Sequence, residues 1–201
     1  MNPMWREGLT VYLVRHGETE LNVSDCLRGR ADVALNATGR SQAEALGRAF
    51  SGVRARRVLS SPLQRARHTA APIARAASVS VETDYGLNDR DYGAWTGERR
   101  DNVRAQFGSV DAAPGVETWT DLRQRIDAAF HRIVASVDQG PIVLVAHDAV
   151  NRALLQNLVS ELATDADSIP QRTGCWNKLI WREGVWRLAA LDLRPGEGER
   201  P

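Results

Sequence analysis

The sequence predicts an α/β three-layer sandwich, a mainly parallel central sheet with helices on both faces. Three observations predict it. Short apolar runs alternate along the chain with helix-length segments. The runs are continuously apolar, as strands covered on both faces are. Two of them end directly in a histidine turn, at Arg15-His16-Gly17 and His147-Asp148; in such sheets ligands sit outside the carboxyl ends of the strands.

Residues 9–14 (LTVYLV) read as a buried strand feeding a loop. Residues 36–50 open with cap-type residues and continue with good helix formers. A second short strand, 57–61, is broken by Pro62. The Ala- and Arg-rich stretch 63–77 reads as helix, and 79–81 as an edge strand. Residues 84–97 have three glycines and no periodicity, so they read as a loop. In 117–137, Trp119, Leu122, Ile126, Ala129, Phe130, Ile133 and Val137 fall at three- and four-residue steps, the pattern of an amphipathic helix. Residues 142–146 form the most apolar strand and end at His147; 149–162 read as helix. Two runs, 176–181 and 185–191, flank Glu183-Gly184 as a terminal hairpin. Without repeat or linker, the chain reads as one domain, 1–201, with a disordered tail at 195–201.

The 201 residues are 43% hydrophobic and 25% charged, which argues against disorder or a coiled coil. Basic and acidic residues number 26 and 25, so no overall field attracts nucleic acid or an anionic membrane. No apolar run approaches the roughly 20 residues that span a bilayer. The start, MNPMWREGLT, has no hydrophobic signal region, and Cys26 and Cys175 have no metal or redox spacing. A cytoplasmic protein with reduced thiols is expected. No apolar patch or coiled-coil pattern is legible, and a homodimer is left open.

The chemistry-bearing residues suit an anion. Gly17 permits a tight turn, Arg15 can fork onto two phosphate oxygens, and a neutral His16 can attack phosphorus. Arg65 falls on the first turn of a helix, where anions are already favoured. His147 ends the most apolar strand. Taken singly, each has an ordinary reading: a surface Arg–His pair, a solvated arginine, a hydrogen-bonded core histidine. His68 and His131 read as surface or packing residues, and residues 54–57 (RARR) as a solvated face. Trp95 is a candidate for the substrate entrance.

Together, LVRHGETELN (13–22), SSPLQRARHTA (60–70), LNDRDYGAWTG (87–97), PGVETWTDLRQRI (114–126) and VAHDAVNRALL (145–155) resemble the histidine phosphatase superfamily, the clan of phosphoglycerate mutase-like enzymes. The resemblance runs from about residue 10 to about 190, and the motifs keep the family's order. It implies a phosphoglycerate mutase-like fold and a metal-independent phosphatase with no cofactor. His16 would be the nucleophile, Arg15 and Arg65 the phosphoryl clamp with Asn22 assisting, and His147 a donor to the same group. Asp89 would be the general acid.

Three departures stand out. Asp89 replaces the family's usual glutamate, which leaves its reach in question and makes Glu18 an alternative carboxylate. Arg28-Gly29 stands where the family often has Gln-Gly; it adds a positive charge at the pocket rim and predicts a substrate with a second anionic group. Asp148 replaces a common glycine and reads as a helix cap. The expected partner is a small phosphorylated metabolite. A mutase is the first alternative, disfavoured because only roughly 20 residues (98–117) are available to close the site against water. A non-catalytic phospho-ligand sensor is the second. A metal-dependent phosphohydrolase is weaker still, with only four histidines to supply ligands.

Overall fold

The central strands carry apolar residues on both faces because each faces two cores, one on each side of the sheet. The structure, a computed structural model, describes residues 5–137, 140–162, 165–198 and 200–201. Residues 1–4 of the N-terminal stretch and residue 199 of the tail lie outside the described residues. The elements in order are β1 (Thr10–Arg15), α1 (Glu20–Val23), α2 (Ala37–Ala49), β2 (Arg57–Ser60), α3 (Gln64–Ala77), β3 (Val81–Thr83), α4 (Arg100–Phe107), α5 (Trp119–Ala135), β4 (Ile142–Ala146), α6 (Asp148–Leu158), β5 (Trp176–Arg182) and β6 (Val185–Leu193).

The six strands form one mixed sheet in the order β3-β2-β4-β1-β5-β6. Pairings from β3 through β1 are parallel, whereas β5 adds antiparallel to β1 and β6 antiparallel to β5. Side chains alternate across it. Val11, Leu13, Ile142 and Leu144 pack against Leu122, Ile126 and Phe130 of α5 and Leu154 of α6. Tyr12, Val14, Val143 and Val145 face Leu46 of α2 and Ala66, Ala70 and Ile73 of α3. Burying that many apolar side chains, each contributing about 1.5–3 kcal/mol, fixes the strand ends that carry the site.

The helix starts follow capping chemistry. Asn36 Oδ1 accepts from Gly39 N at 2.8 Å at the start of α2, and Thr118 Oγ1 from Asp121 N at 3.1 Å at the start of α5. Asp32 reaches across to the start of α3, accepting from Gln64 N at 2.6 Å. Expectations fail in three places. β3 begins two residues later than expected, after Ser78 ends α3 in the left-handed region at φ 57°. The loop 84–97 contains two 3-10 turns. The stretch 98–117 holds α4, whose Val103 packs with Leu27, Tyr92 and Val110 in a separate small core. Among the described residues, no helix is long and apolar enough to cross a membrane. In the tail, Glu197 pairs with Arg172 at 2.7 Å.

Candidate active site

Strand register assembles the site. Arg15 of β1 lies beside Ala146 of β4, and Val145 of β4 beside Ser60 of β2. The residue after each strand end, His16, His147 and Ser61, therefore emerges at one rim of the sheet. The two imidazole centroids are 5.2 Å apart, and Ser61 Oγ is 2.8 Å from His147 Nε2. All three residues are fully buried.

His16 is oriented by its own turn. Its Nδ1 lies 2.6 Å from the Gly17 carbonyl oxygen. A carbonyl can only accept, so Nδ1 carries the ring proton and Nε2 keeps a lone pair. That Nε2 is buried with no hydrogen-bond partner among the described residues. Burial, followed by the charges of Arg65, His147, Arg15 and Arg28, holds the His16 pKa well below the ordinary histidine value. The turn needs glycine: a Cβ at Gly17 would sit 2.5 Å from the Gly39 carbonyl oxygen at the start of α2.

His147 is likewise held neutral, by burial first and then by Arg65, Arg28, Arg15 and Arg125. Ser61 Oγ already accepts from Leu63 N at 3.3 Å and can donate its proton to His147 Nε2. That assignment leaves the imidazole proton on Nδ1, which makes no hydrogen bond and lies 3.5 Å from Asp89 Oδ2. Two neutral rings thus present opposite functions: a lone pair on His16 and an N–H donor on His147.

Three guanidinium groups surround them. Arg65, in the first turn of α3, donates to the carbonyls of Ala31 and Gly29 at 2.7 and 2.8 Å and to Asp89 Oδ2 at 2.9 Å. Gly29 supplies that carbonyl from a left-handed conformation, φ 48°. Arg15 donates to the Gln171 carbonyl and lies 3.8 Å from Asp148 Oδ2. Arg28 is 6% exposed and makes one long bond, to the Cys26 carbonyl at 3.3 Å. The Nε of all three is buried and unpartnered among the described residues. Such an array suits an oxyanion with several oxygens.

Asp89, despite its short side chain, reaches the centre of the cluster, whereas Glu18 points away: its Oε1 accepts from Asn36 Nδ2 at 2.9 Å. The loop carrying Asp89 is clamped from behind by Arg125 of α5, which donates to the Gly86 and Asn88 carbonyls at 2.9 and 3.0 Å and pairs with Glu117 at 2.9 Å. While His16, Arg65 and His147 are fully buried and are not part of its lining, Arg15, Arg28 and Asp89 of the cluster, with Asn22, Tyr92 and Trp119 among others, line a cavity of about 640 Å³. This is the size of a small-metabolite pocket.

Two expectations are corrected here. Trp119, not Trp95, lines the cavity; Trp95 packs edge-on against Phe107 at 4.9 Å. Asp148 does not cap α6, whose N-cap is His147; it pairs with Arg152 at 2.8 Å one turn later. Asn22 lines the cavity, and its Oδ1 accepts from Thr19 N at 3.0 Å at the start of α1. Sequence reasoning assigned no role to Ser61, Gln171 or Arg125. The Ser-Ser-Pro strand end was a signal for the first; Gln171 carries none, because it acts through its backbone carbonyl. His131 stacks on Trp5 at 5.2 Å, and His68 is exposed.

A model of the histidine phosphatase superfamily (branch 1) matches residues 11–193. The chain is 28% identical over 183 residues to the "uncharacterized phosphatase PhoE" of Bacillus subtilis, covering 91% of this chain and 94% of that protein. It is 29% identical over 188 residues to the "probable phosphoglycerate mutase GpmB" of Citrobacter koseri, covering 89% and 87%. Among solved structures it resembles the mycobacterial glucosyl-3-phosphoglycerate phosphatase Rv2419c complexed with VO3, with a TM-score of 0.81 and 26% identity, over 91% of this chain and 98% of that one.

Proposed function

The chain belongs to the histidine phosphatase superfamily, and we propose that it is a metal-independent phosphomonoesterase acting on a small phosphorylated metabolite through a phosphohistidine intermediate. One observation carries this reading. His16 Nε2 is a buried, unpartnered lone pair, fixed by the Gly17 carbonyl and ringed by Arg15, Arg28 and Arg65.

The chemistry follows from that geometry. A bound phosphate monoester brings about two negative charges, offset by Arg15 and Arg65 with the His147 Nδ1–H as a further donor. His16 Nε2 attacks phosphorus and forms a P–N bond. The P–O bond to the leaving group breaks, and its oxygen takes a proton from Asp89. Water then attacks the phosphohistidine, Asp89 accepts a proton from it, and inorganic phosphate leaves with His16 restored. Positioning and charge complementarity supply the rate, and the guanidinium groups do the neutralising that a metal ion does elsewhere. Asp89 moves from its contact with Arg65 as the phosphoryl oxygens take its place. Helix α4 and its small core lie beside the cavity, so a cover for the mutase alternative exists, and product analysis decides between water and a second substrate as acceptor.

The test is a panel of phosphate monoesters assayed with wild-type and His16→Ala protein, with and without chelator. Turnover should vanish in His16→Ala and persist with chelator. Comparable turnover in the variant would remove the proposed nucleophile, and loss on chelation would remove the metal-independent route. Labelled substrate should leave acid-labile, base-stable label on the wild-type protein; acid-stable label would point to a phosphoester.

A further inference from the structure

Six arginines line the cavity, and five of them face a carboxylate within 4 Å. Arg15 and Arg152 face Asp148 at 3.8 and 2.8 Å, Arg90 faces Asp111 at 2.6 Å, Arg100 faces Asp25 at 3.5 Å, and Arg104 faces Asp167 at 3.7 Å. Arg28 has no such partner among the described residues. It is also among the most buried of the six, at 6% exposure, with its Nε unpartnered and one long bond to a carbonyl. An arginine placed there for packing alone would carry the cost of burying a charge with nothing to balance it.

The charge count at the reacting centre points the same way. When Asp89 carries the proton it is to donate, Arg15 and Arg65 balance a phosphoryl dianion. The charge on Arg28 is left over. It belongs to the same electrostatic cluster, since Arg15 and Asp89 are its strongest charged neighbours. A neutral remainder on the substrate would leave that charge unmatched in the complex.

We propose that Arg28 is the core of a second anion subsite, and that the substrate is a phosphate monoester bearing another anionic group, carboxylate or phosphate, a short distance from the ester oxygen. This rests on the phosphatase reading of the same site and specifies its substrate class. The planar guanidinium fork suits either anion. Tyr92, buried as well, lines the same cavity.

A three-carbon series tests it: 3-hydroxypropyl phosphate, 3-(phosphonooxy)propanoate and propane-1,3-diyl bisphosphate differ only in the far end. In wild-type protein, kcat/KM for at least one of the two charged-tail compounds should exceed that for the hydroxyl compound tenfold or more. Whichever compound shows the ratio identifies the anion. In Arg28→Gln the ratio should collapse to below about threefold. A wild-type ratio near one, or a ratio that survives Arg28→Gln, overturns the subsite. Arg28→Met, which keeps the bulk of the stem, gives the same reading should the glutamine variant not fold. Binding to His16→Ala and to His16→Ala/Arg28→Gln, measured by calorimetry with the same three compounds, separates the two claims. Arg28-dependent discrimination in binding without turnover keeps the subsite and removes the phosphatase. Turnover without discrimination does the reverse.

Discussion

Two buried polar assemblies sit side by side behind the strand ends, and they are built on opposite plans. One is the amide network of Asn151, Gln171 and Asn177. Asn151 Nδ2 donates to Gln171 Oε1 at 3.1 Å, Gln171 Nε2 to Asn177 Oδ1 at 2.9 Å, and Asn177 Nδ2 to the Leu13 carbonyl at 3.0 Å. It is uncharged, and apart from Asn151 Oδ1 its side-chain polar atoms are paired. The other is the cluster of His16, His147, Arg15, Arg28 and Arg65, where five buried nitrogens have no partner among the described residues. The two meet where Arg15 donates to the Gln171 carbonyl. A buried polar group left unpaired costs about 1–3 kcal/mol. The network avoids that cost and serves the fold, whereas the cluster bears it, as a site that awaits an anion would.

The largest effect that can break this contrast is on turnover. His147→Gln should lower kcat/KM about 10³-fold, on the order of 4 kcal/mol, the usual consequence of losing one oriented donor to a developing charge. Its melting temperature should change little, because His147 Nδ1 holds no hydrogen bond among the described residues and the glutamine amide can keep the bond of Nε2 to Ser61 Oγ. A variant that loses its fold and keeps its turnover per folded molecule would place His147 with the structural network instead.

Next in size is the converse substitution. Asn177 is fully buried in β5, and its Oδ1 also accepts from Asp192 N at 2.9 Å. Asn177→Ala strips partners from Gln171, Leu13 and Asp192 at once, and should cost about 3 kcal/mol, read as a shift in the urea midpoint. An unchanged midpoint would show that the network contributes no stability.

The same contrast decides what could be read before the structure. The two rim histidines were legible because a continuous apolar run fixes a strand, and the residue after the run must then sit at the sheet's rim. Arg65 was legible because Ser-Ser-Pro marks a strand end and a helix start together. Gln171 was not, because its side chain serves the network and only its carbonyl serves the site. Helix α4 was not, because RDNVRAQF has no apolar stripe; its place is set by Val103 meeting Leu27 and Tyr92, a contact between distant parts of the chain. Residue type alone could not show where Asp89 would sit; its Oδ2 lies 2.9 Å from Arg65 and 3.5 Å from His147, on a loop that Arg125 holds.

Titration sharpens the comparison further. The network has nothing to protonate near neutrality, while both histidines have pKa values pushed well below the ordinary 6.5. The unfolded chain therefore binds protons below about pH 6.5 that the folded chain does not, so this contribution to stability is present above that pH and lost as pH falls. Between pH 7.5 and 5.5 each histidine should withdraw up to about 1.4 kcal/mol. His16→Gln/His147→Gln protein should show a flatter stability profile across that range. The acid limb of the wild-type kcat/KM profile should likewise fall below the ordinary histidine value, since the free enzyme keeps its nucleophile unprotonated. An acid limb at or above 6.5 in kcat/KM would contradict a buried neutral His16.

The smallest expected effect is the most discriminating, because its sign differs between the two plans. In the network, removing a side chain must destabilise, since every group lost leaves a partner unpaired. At Arg28 the only partner among the described residues is the Cys26 carbonyl at 3.3 Å, a bond that a glutamine amide can keep. What Arg28→Gln removes is a buried charge whose ionised form is already disfavoured by burial and by Arg15. The free protein should therefore become more stable, by about 1 kcal/mol or a rise of about 2–4 °C in melting temperature for a chain of this length. A ligand with two anionic groups should stabilise the wild type more than the variant, because it supplies the counter-charge that the fold withholds. Should the melting temperature of Arg28→Gln fall as that of Asn177→Ala does, Arg28 is a structural residue and the unpaired cluster loses its outermost member.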